Sequence, residues 1–357
     1  MSPVWHELRV ARVVPETADA SSFVLEIPAS LRESFRYQAG QYLTFEIPWG
    51  DTRLFRCYSL SSSPECDDEH AVTVKRIADG RVSSWFHDVL RAGSTLRVQP
   101  PAGRFVLRPG SERPLVAFGA GSGITPVMSI LKTALATTAR RAKLFYANRD
   151  RDSIIFRSAL DALARSHPGR LTVLHHLDVE HGLLDREGAR AAVAGLEDAE
   201  FYLCGPAPFM NVVEQALLGI GIDPERILIE RFELLTSLGP EEQGQKMTSL
   251  GPEEQGLANT SQGASAIRSS VTVHLDGGTH EVDCAPGETV LQAVRRAGLN
   301  PPSACEDGYC GCCMARLLRG RVEMARCNAL DPDEVAEGWI LTCQSHPQTP
   351  ELEVRYD

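Results

Sequence analysis

The sequence predicts a multidomain α+β protein in which an antiparallel β-barrel, an α/β unit with a parallel sheet and a small β-rich unit follow one another along the chain. Three observations carry this. Short β-prone runs interrupted by Gly and Pro fill residues 8–108, the pattern of a small barrel or sandwich. Apolar runs alternate with segments of helical periodicity from Leu115 to Glu230, as a parallel sheet with crossover helices requires. Finally, Cys305, Cys310 and Cys313 stand at Cys-x4-Cys-x2-Cys with Cys343 far downstream, which is the spacing of a plant-type [2Fe–2S] centre.

The chain has 357 residues, 43% hydrophobic and 23% charged, enough for two or three domains that each bury a core. Its start has neither a basic stretch nor an apolar run, and no segment reaches the length of a membrane span, so the expectation is a cytoplasmic protein with no membrane contact. Ten cysteines without a paired framework fit a reducing compartment. The net charge of −11 argues against nucleic acid. It is concentrated at one end, because residues 269–357 carry 7 basic and 14 acidic side chains. Either this is a solvated acidic surface or it steers a basic redox partner toward the cysteine-rich unit.

In the first unit (residues 1–108) strands are expected over Leu8–Val14, Ser22–Ile27, Tyr42–Ile47, Ala71–Ile77 and Thr95–Gln99, with a helix over Ser83–Leu90. Two stretches suggest more than packing: Arg56-Cys57-Tyr58-Ser59, and Val74-Lys75-Arg76 followed by Gly80-Arg81-Val82-Ser83-Ser84. They resemble the flavin-site signatures of the ferredoxin–NADP reductase superfamily, an Arg-x-Tyr-Ser and a later Gly-x-x-Ser turn. The resemblance implies an FAD held by Arg56, Tyr58, Ser59, Val74, Arg76, Val82, Ser83 and Ser84. The chemistry is compatible: a guanidinium fork neutralises a pyrophosphate, a tyrosine ring lies against isoalloxazine, and a serine hydroxyl bonds the ring edge. Serines at a helix start offer hydroxyls and N–H groups to phosphate.

In the second unit (109–232) the continuous apolar run Leu115–Phe118 reads as a strand buried on both faces, and Gly119-Ala120-Gly121-Ser122-Gly123-Ile124-Thr125-Pro126 follows it. Gly119, Gly121 and Gly123 allow a dinucleotide pyrophosphate to approach the positive end of the next helix, and Pro126 suits its first position. Gly-x-Gly-x-x-Pro in place of a final Gly is the form the same superfamily uses. Further strands are expected at Ala142–Tyr146, Leu171–His175, Glu200–Cys204 and Arg226–Glu230, with helices over Phe156–Arg165, Asp185–Gly195 and Pro208–Leu218. Cys204-Gly205-Pro206 matches the superfamily's Cys-Gly-Pro at a strand end, which implies that Thr125, Cys204 and Gly205 position nicotinamide. A nucleophilic Cys204 is disfavoured, since no motif supplies a base to activate it. Arg149 could meet the 2′-phosphate of NADPH, but Asp150-Arg151-Asp152 gives a mixed field suited to NADH, so both nucleotides stand. Phe232 falls where the superfamily sets an aromatic residue against the flavin.

Residues 233–268 form a linker: Thr-Ser-Leu-Gly-Pro-Glu-Glu-Gln-Gly at 236–244 recurs at 248–256, and two such copies cannot bury a core. In the last unit (269–357) a hairpin at Asp276-Gly277-Gly278, a helix over Val290–Ala297 and strands at Ala315–Leu318 and Glu351–Tyr356 are expected. Cys305, Cys310, Cys313 and Cys343 are assigned as iron ligands and Cys312 is left out as falling between ligands; a structural zinc site would show a close pair on each side. The unit resembles a plant-type ferredoxin, which implies a β-grasp fold.

The order of units resembles the reductase components of multicomponent oxygenases with the ferredoxin last. Tyr146–Asp150, Ser84–Asp88 and Trp339–Ser345 are most similar to reductases that serve 3-ketosteroid 9α-hydroxylases, and next to those of phenylacetyl-CoA epoxidases. The resemblance implies FAD, a [2Fe–2S] cluster and NADH or NADPH as cofactors. It also implies a terminal oxygenase, Rieske non-haem iron or di-iron, as a separate partner. Two other readings remain at this point: a self-contained reductase of a small molecule, and a cluster-bearing redox sensor with a vestigial nucleotide site.

Overall fold

The computed structural model describes residues 5–50, 52–78, 80–231, 268–275, 277–299, 301–303, 306, 308, 311–327, 330 and 332–356. The duplicated linker segment lies outside them. Among the described residues no helix is long and apolar enough to cross a membrane.

The first unit is a six-stranded antiparallel sheet of β1 (His6–Pro15), β2 (Ala20–Glu26), β3 (Tyr42–Trp49), β4 (Thr52–Ser59), β5 (His70–Lys75) and β6 (Thr95–Val98), in the order β4-β3-β6-β1-β2-β5. Its two edges meet where Leu60 bridges Val72 and the Ser61 N–H donates to Ala71 O at 2.8 Å, which closes the sheet into a barrel. Alternate residues fill the inside, among them Leu8, Val10, Phe23, Leu43, Phe45, Ile47, Val72 and Val74. Helix α1 (Arg81–Val89) covers one end through Val82 and Phe86. Strand β4 is absent from the elements expected above; its side chains do not alternate cleanly because Arg56 sits on the inward side among Leu54 and Tyr58.

The second unit alternates β7 (Leu115–Ala120), α2 (Ile124–Thr137), β8 (Ala142–Asn148), α3 (Arg157–Ser166), β9 (Leu171–Leu177), α4 (Asp178–His181), α5 (Arg186–Val193), β10 (Glu200–Gly205), α6 (Ala207–Gly219) and β11 (Ile227–Arg231). The sheet is parallel throughout, ordered β11-β10-β7-β8-β9, so the chain reverses its direction of travel between β7 and β10. Both faces are covered, one by α2 and the barrel-side residues Ala39 and Phe105, the other by residues of α5 and α6. That double coverage explains why every residue of β7 and β10 is buried. Asp185 caps α5 by accepting the Gly188 N–H at 2.7 Å, an interaction worth about 1 kcal/mol.

The third unit pairs β12 (Ser269–Leu275) and β13 (Gly278–Cys284) as a hairpin, with Gly277 at φ +78° in its turn. After α7 (Val290–Arg296) come β14 (Met314–Arg319), β15 (Val322–Met324), α8 (Pro332–Ala336), β16 (Trp339–Leu341), β17 (Ser345–Pro347) and β18 (Glu351–Arg355). The mixed sheet runs β13-β12-β18-β14-β16 with β12 and β18 parallel, and α7 packs on it, which is a β-grasp arrangement. A capping box starts α7: Thr289 accepts from Gln292 N–H while the Gln292 side chain accepts from Thr289 N–H.

Candidate functional site

Strand β4 carries the flavin-type residues. Its register sets Cys57 opposite Thr44, Tyr58 opposite Leu43 and Ser59 opposite Tyr42. The Tyr58 ring packs 5.0 Å from Phe86 and 5.9 Å from Phe45, and burial pushes its phenol above the usual range. Arg56 donates to its neighbour's carbonyl, Phe55 O, at 2.7 Å and has no carboxylate partner among the described residues. The hydroxyl of Ser59 is buried with no partner among them, the orphaned polar group a bound cofactor would satisfy. Other predicted flavin residues behave differently. The side chains of Val74 and Val82 lie in the barrel core and can reach a cofactor only through their backbone. Arg76 is forked onto Asp88 at 2.6 and 3.2 Å. The Ser83 hydroxyl accepts from Ile77 N–H and donates to Gly80 O, so it shapes the turn before α1; Ser84 is half-buried beside it. Phe232 lies outside the described residues.

The glycine loop follows β7 as a 3₁₀ turn over Gly121–Gly123. Its glycines do three different jobs. Gly121 has φ +53° and nothing within 4 Å of where a Cβ would stand, so it faces open space at the start of α2. Gly123 is jammed against the end of β10: a Cβ there would meet the Cys204 carbonyl and stand 2.7 Å from Gly205 N. Gly119 lies behind the loop, in ordinary contact with Tyr146 and Ile124. Gly205 in turn packs on Ala120, 2.9 Å from the position its own Cβ would take. The Tyr146 hydroxyl donates to Gly121 O at 3.0 Å and fixes the loop from beneath.

Thr125 is buried and its hydroxyl donates to Ser122 O at 3.0 Å. Pro126 is the third residue of α2 and not the first; it is tolerated there because first-turn N–H groups have no acceptor within the helix. Cys204 is fully buried, and desolvation, assisted by the Glu230 carboxylate opposite it on β11, raises its thiol well above the ordinary value. A protonated, inaccessible thiol is no nucleophile. Pro206 is exposed as the residue before α6. Arg149, at the exposed end of β8, is held by Asp150 through Nε at 2.8 Å, while Asp150 also caps the turn by accepting from Ser153 N–H at 2.9 Å.

Polar contacts that no motif announces join barrel and α2 close to this loop. The Ser129 hydroxyl donates to Ser62 O at 2.5 Å, Ser63 and Thr133 hydroxyls lie 2.7 Å apart, and Lys132 pairs with Asp67 at 2.5 Å. They tie the segment following Ser59 to the helix that starts at the glycine loop. The stretch that follows the flavin-type strand is thus bound to the helix that begins at the C-terminal ends of β7 and β10, the side of a parallel sheet where ligands collect.

In the third unit Cys313 and Cys343 are buried together among Leu291, Leu330, Trp339 and Leu341. Cys305 and Cys310 lie outside the described residues. Thr342 donates to Cys313 O from both N–H (3.1 Å) and hydroxyl (2.9 Å), and Gln344 Nε2 donates to Glu306 O at 2.7 Å, so the segment around Cys343 is stitched to the loop. Glu306, Gly308 and Gly311 all have positive φ, the tight wrapping that brings N–H groups inward. Tyr356 is buried in the same unit, and burial pushes its phenol above the usual range, with the neighbouring Cys313 and Cys343 adding to the shift. Two buried cysteines enclosed by apolar side chains, beside a tightly wrapped loop, suit an iron–sulfur cluster.

A barrel, a parallel nucleotide-binding sheet and a β-grasp unit with a cysteine loop define an oxidoreductase with flavin-, nicotinamide- and iron–sulfur-binding domains. Family models agree: residues 7–107 match an oxidoreductase FAD-binding domain, 118–215 an oxidoreductase NAD-binding domain and 273–348 a 2Fe–2S iron–sulfur cluster binding domain. The chain belongs to the family of ferredoxin reductase components of monooxygenases. It is 41% identical to the ferredoxin reductase component of 3-ketosteroid-9-alpha-monooxygenase from Rhodococcus rhodochrous, over 98% of this chain and 96% of that one. It is 35% identical to a component of the 1,2-phenylacetyl-CoA epoxidase from Escherichia coli strain K12, over 99% and 98%. Among solved structures, phthalate dioxygenase reductase shares the fold with TM-score 0.59 at 23% identity, over 99% of this chain and 100% of that one. An intact type IV self-sufficient cytochrome P450 monooxygenase matches with TM-score 0.68 at 27% identity; 98% of this chain covers 41% of that longer protein.

Proposed function

We propose that this protein takes electrons from NAD(P)H and delivers them to a separate terminal oxygenase, a Rieske-type 3-ketosteroid 9α-hydroxylase, in the cytoplasm. The observation that supports this most is end-to-end similarity to the steroid reductase component, spanning all three units in the same order. When bound, FAD would supply acceptance of two electrons as one hydride and their release one at a time, and a [2Fe–2S] cluster would carry them singly. This chain's residues bind and align. Gly121 and the N-terminal end of α2 take the nucleotide pyrophosphate. Gly123 and Gly205, packed at the end of β10, hold the two loop edges at a fixed separation, with Thr125 locking the first helical turn, and Cys204 lends a neutral wall. Arg56 neutralises the flavin pyrophosphate while Tyr58 and Ser59 meet the ring; Cys305, Cys310, Cys313 and Cys343 hold the irons. Since Asp150 already engages Arg149, a 2′-phosphate has to compete for that guanidinium, which favours NADH.

A second reading, service to a di-iron epoxidase of phenylacetyl-CoA, draws on the 35% identity to the epoxidase component. The test is reconstitution: purified protein, NADH, and either a 3-ketosteroid hydroxylase oxygenase or the remaining epoxidase components. Steroid hydroxylation coupled to NADH use supports the first reading. Coupling only with the epoxidase replaces it by the second, and substrate turnover with no protein partner sinks both.

A further inference from the structure

The barrel and the cluster loop touch through sulfur. Thr44 and Cys57 face each other across β3 and β4, on the side of the sheet away from the core, because their neighbours Leu43 and Phe45 point inward. Outward residues of a barrel are ordinarily wet, yet Thr44 is only 3% exposed. Cys312 lies over them: its Sγ stands 3.4 Å from Cys57 Sγ and 3.7 Å from Thr44 Oγ1, and Thr44 Oγ1 is 3.4 Å from Cys57 Sγ. Cys57 is flanked by Arg56 and Tyr58 of the flavin strand, and Cys312 immediately precedes Cys313 of the cluster loop.

We propose that Thr44, Cys57 and Cys312 form the seat on which the iron–sulfur unit docks against the flavin barrel, and that they are positioning residues for electron passage between the two cofactors. Small, soft, weakly hydrated groups suit this task. A thiol pair surrenders little hydration on contact and lets two backbones approach, whereas a charged side chain would keep its water and hold the cluster loop away. The proposal rests on flavin lying along Arg56–Ser59 and on the cluster being held by Cys313 and its fellow ligands.

The first test needs no substitution. Holoprotein treated with diamide should form a Cys57–Cys312 disulfide: each thiol gives up a proton and an electron, the S–S bond forms, and the azo bond is reduced to the hydrazine. Peptide mass spectrometry should find that link, and Cys312→Ser should abolish it. The second test is anaerobic rapid mixing with NADH. Thr44→Arg should slow cluster reduction at least tenfold while flavin reduction, FAD content and iron content stay at wild-type values. Absence of the cross-link together with unslowed cluster reduction in a cofactor-replete Thr44→Arg protein overturns the seat. If Thr44→Arg does not fold, the cross-link alone decides. Wild-type protein that never reduces its cluster defeats the electron-chain reading itself and not merely the seat.

Discussion

Replacing Gly123 by Ala tests whether the glycine loop and the end of β10 are held at a working separation. The backbone at Gly123 is helical, φ −61° and ψ −10°, so alanine costs nothing in conformation there. The cost is steric. The new methyl would stand 2.7 Å from Gly205 N and closer still to the Cys204 carbonyl, against an ordinary contact of 3.4 Å or more. Both obstacles are backbone atoms in a central strand, and the nearer one, the Cys204 carbonyl, requires the loop to retreat by about 1 Å. Overpacking of this kind destabilises by about 1–3 kcal/mol, or roughly 3–10 °C in Tm for a unit of this size. A misplacement approaching 1 Å costs about 10²-fold in a reaction that depends on alignment. Stopped-flow reduction of the flavin by saturating NADH should therefore fall some tens-fold to a hundredfold with FAD still bound. Gly121→Ala is the comparator: its φ of +53° strains alanine by about 1–2 kcal/mol, but no atom obstructs the methyl, so KM for NADH should rise more than the limiting rate falls. A Gly123→Ala protein that reduces its flavin at the wild-type rate would show that this close approach does not set the alignment.

Three other outcomes are expected. Arg56→Ala should lower FAD retention through gel filtration about tenfold or more, because the guanidinium has no carboxylate partner among the described residues and is available to phosphate; full flavin stoichiometry would count against that role. Cys343→Ser should remove the iron and the cluster's visible bands yet leave NADH-driven ferricyanide reduction by the flavin, and unchanged iron content would contradict the ligand assignment. Barrel stability should fall on acidification: burial lowers the His70 pKa while its Nε2 bonds Phe35 O at 2.8 Å. Its folded pKa lies below the unfolded value of about 6.5, so the contribution is intact above that pH and is lost as pH drops through the folded value. Urea midpoints at pH 7.5 and 5.5 check this, and His70→Gln should show a smaller difference.

The parallel unit is the most legible part of the chain, since a strand covered on both faces must be apolar throughout and Leu115–Phe118 is. The barrel is less so. Strand β4 is hidden because Arg56 occupies an inward position, and a charged residue on the core side masks the period of two. Short strands β15, β16 and β17 around the cysteines are illegible too; three residues are too few for any pattern. At the site, motif spacing finds the loop but not its division of labour. That Gly121 faces open space while Gly123 faces a carbonyl depends on where β10 ends, a contact between segments some eighty residues apart. Ser62, Ser63, Ser129 and Thr133 are invisible for the same reason, and so is the meeting of Cys57 with Cys312.

Whether electrons run from nicotinamide through flavin to the cluster is decided by anaerobic titration with NADH and, separately, NADPH, following the flavin and cluster bands and the electron paramagnetic resonance of the reduced cluster. Both centres should be reduced, by NADH at lower concentration than by NADPH, with the cluster signal appearing after the flavin bleaches. Flavin that bleaches while an iron-replete cluster stays oxidised would contradict the electron chain.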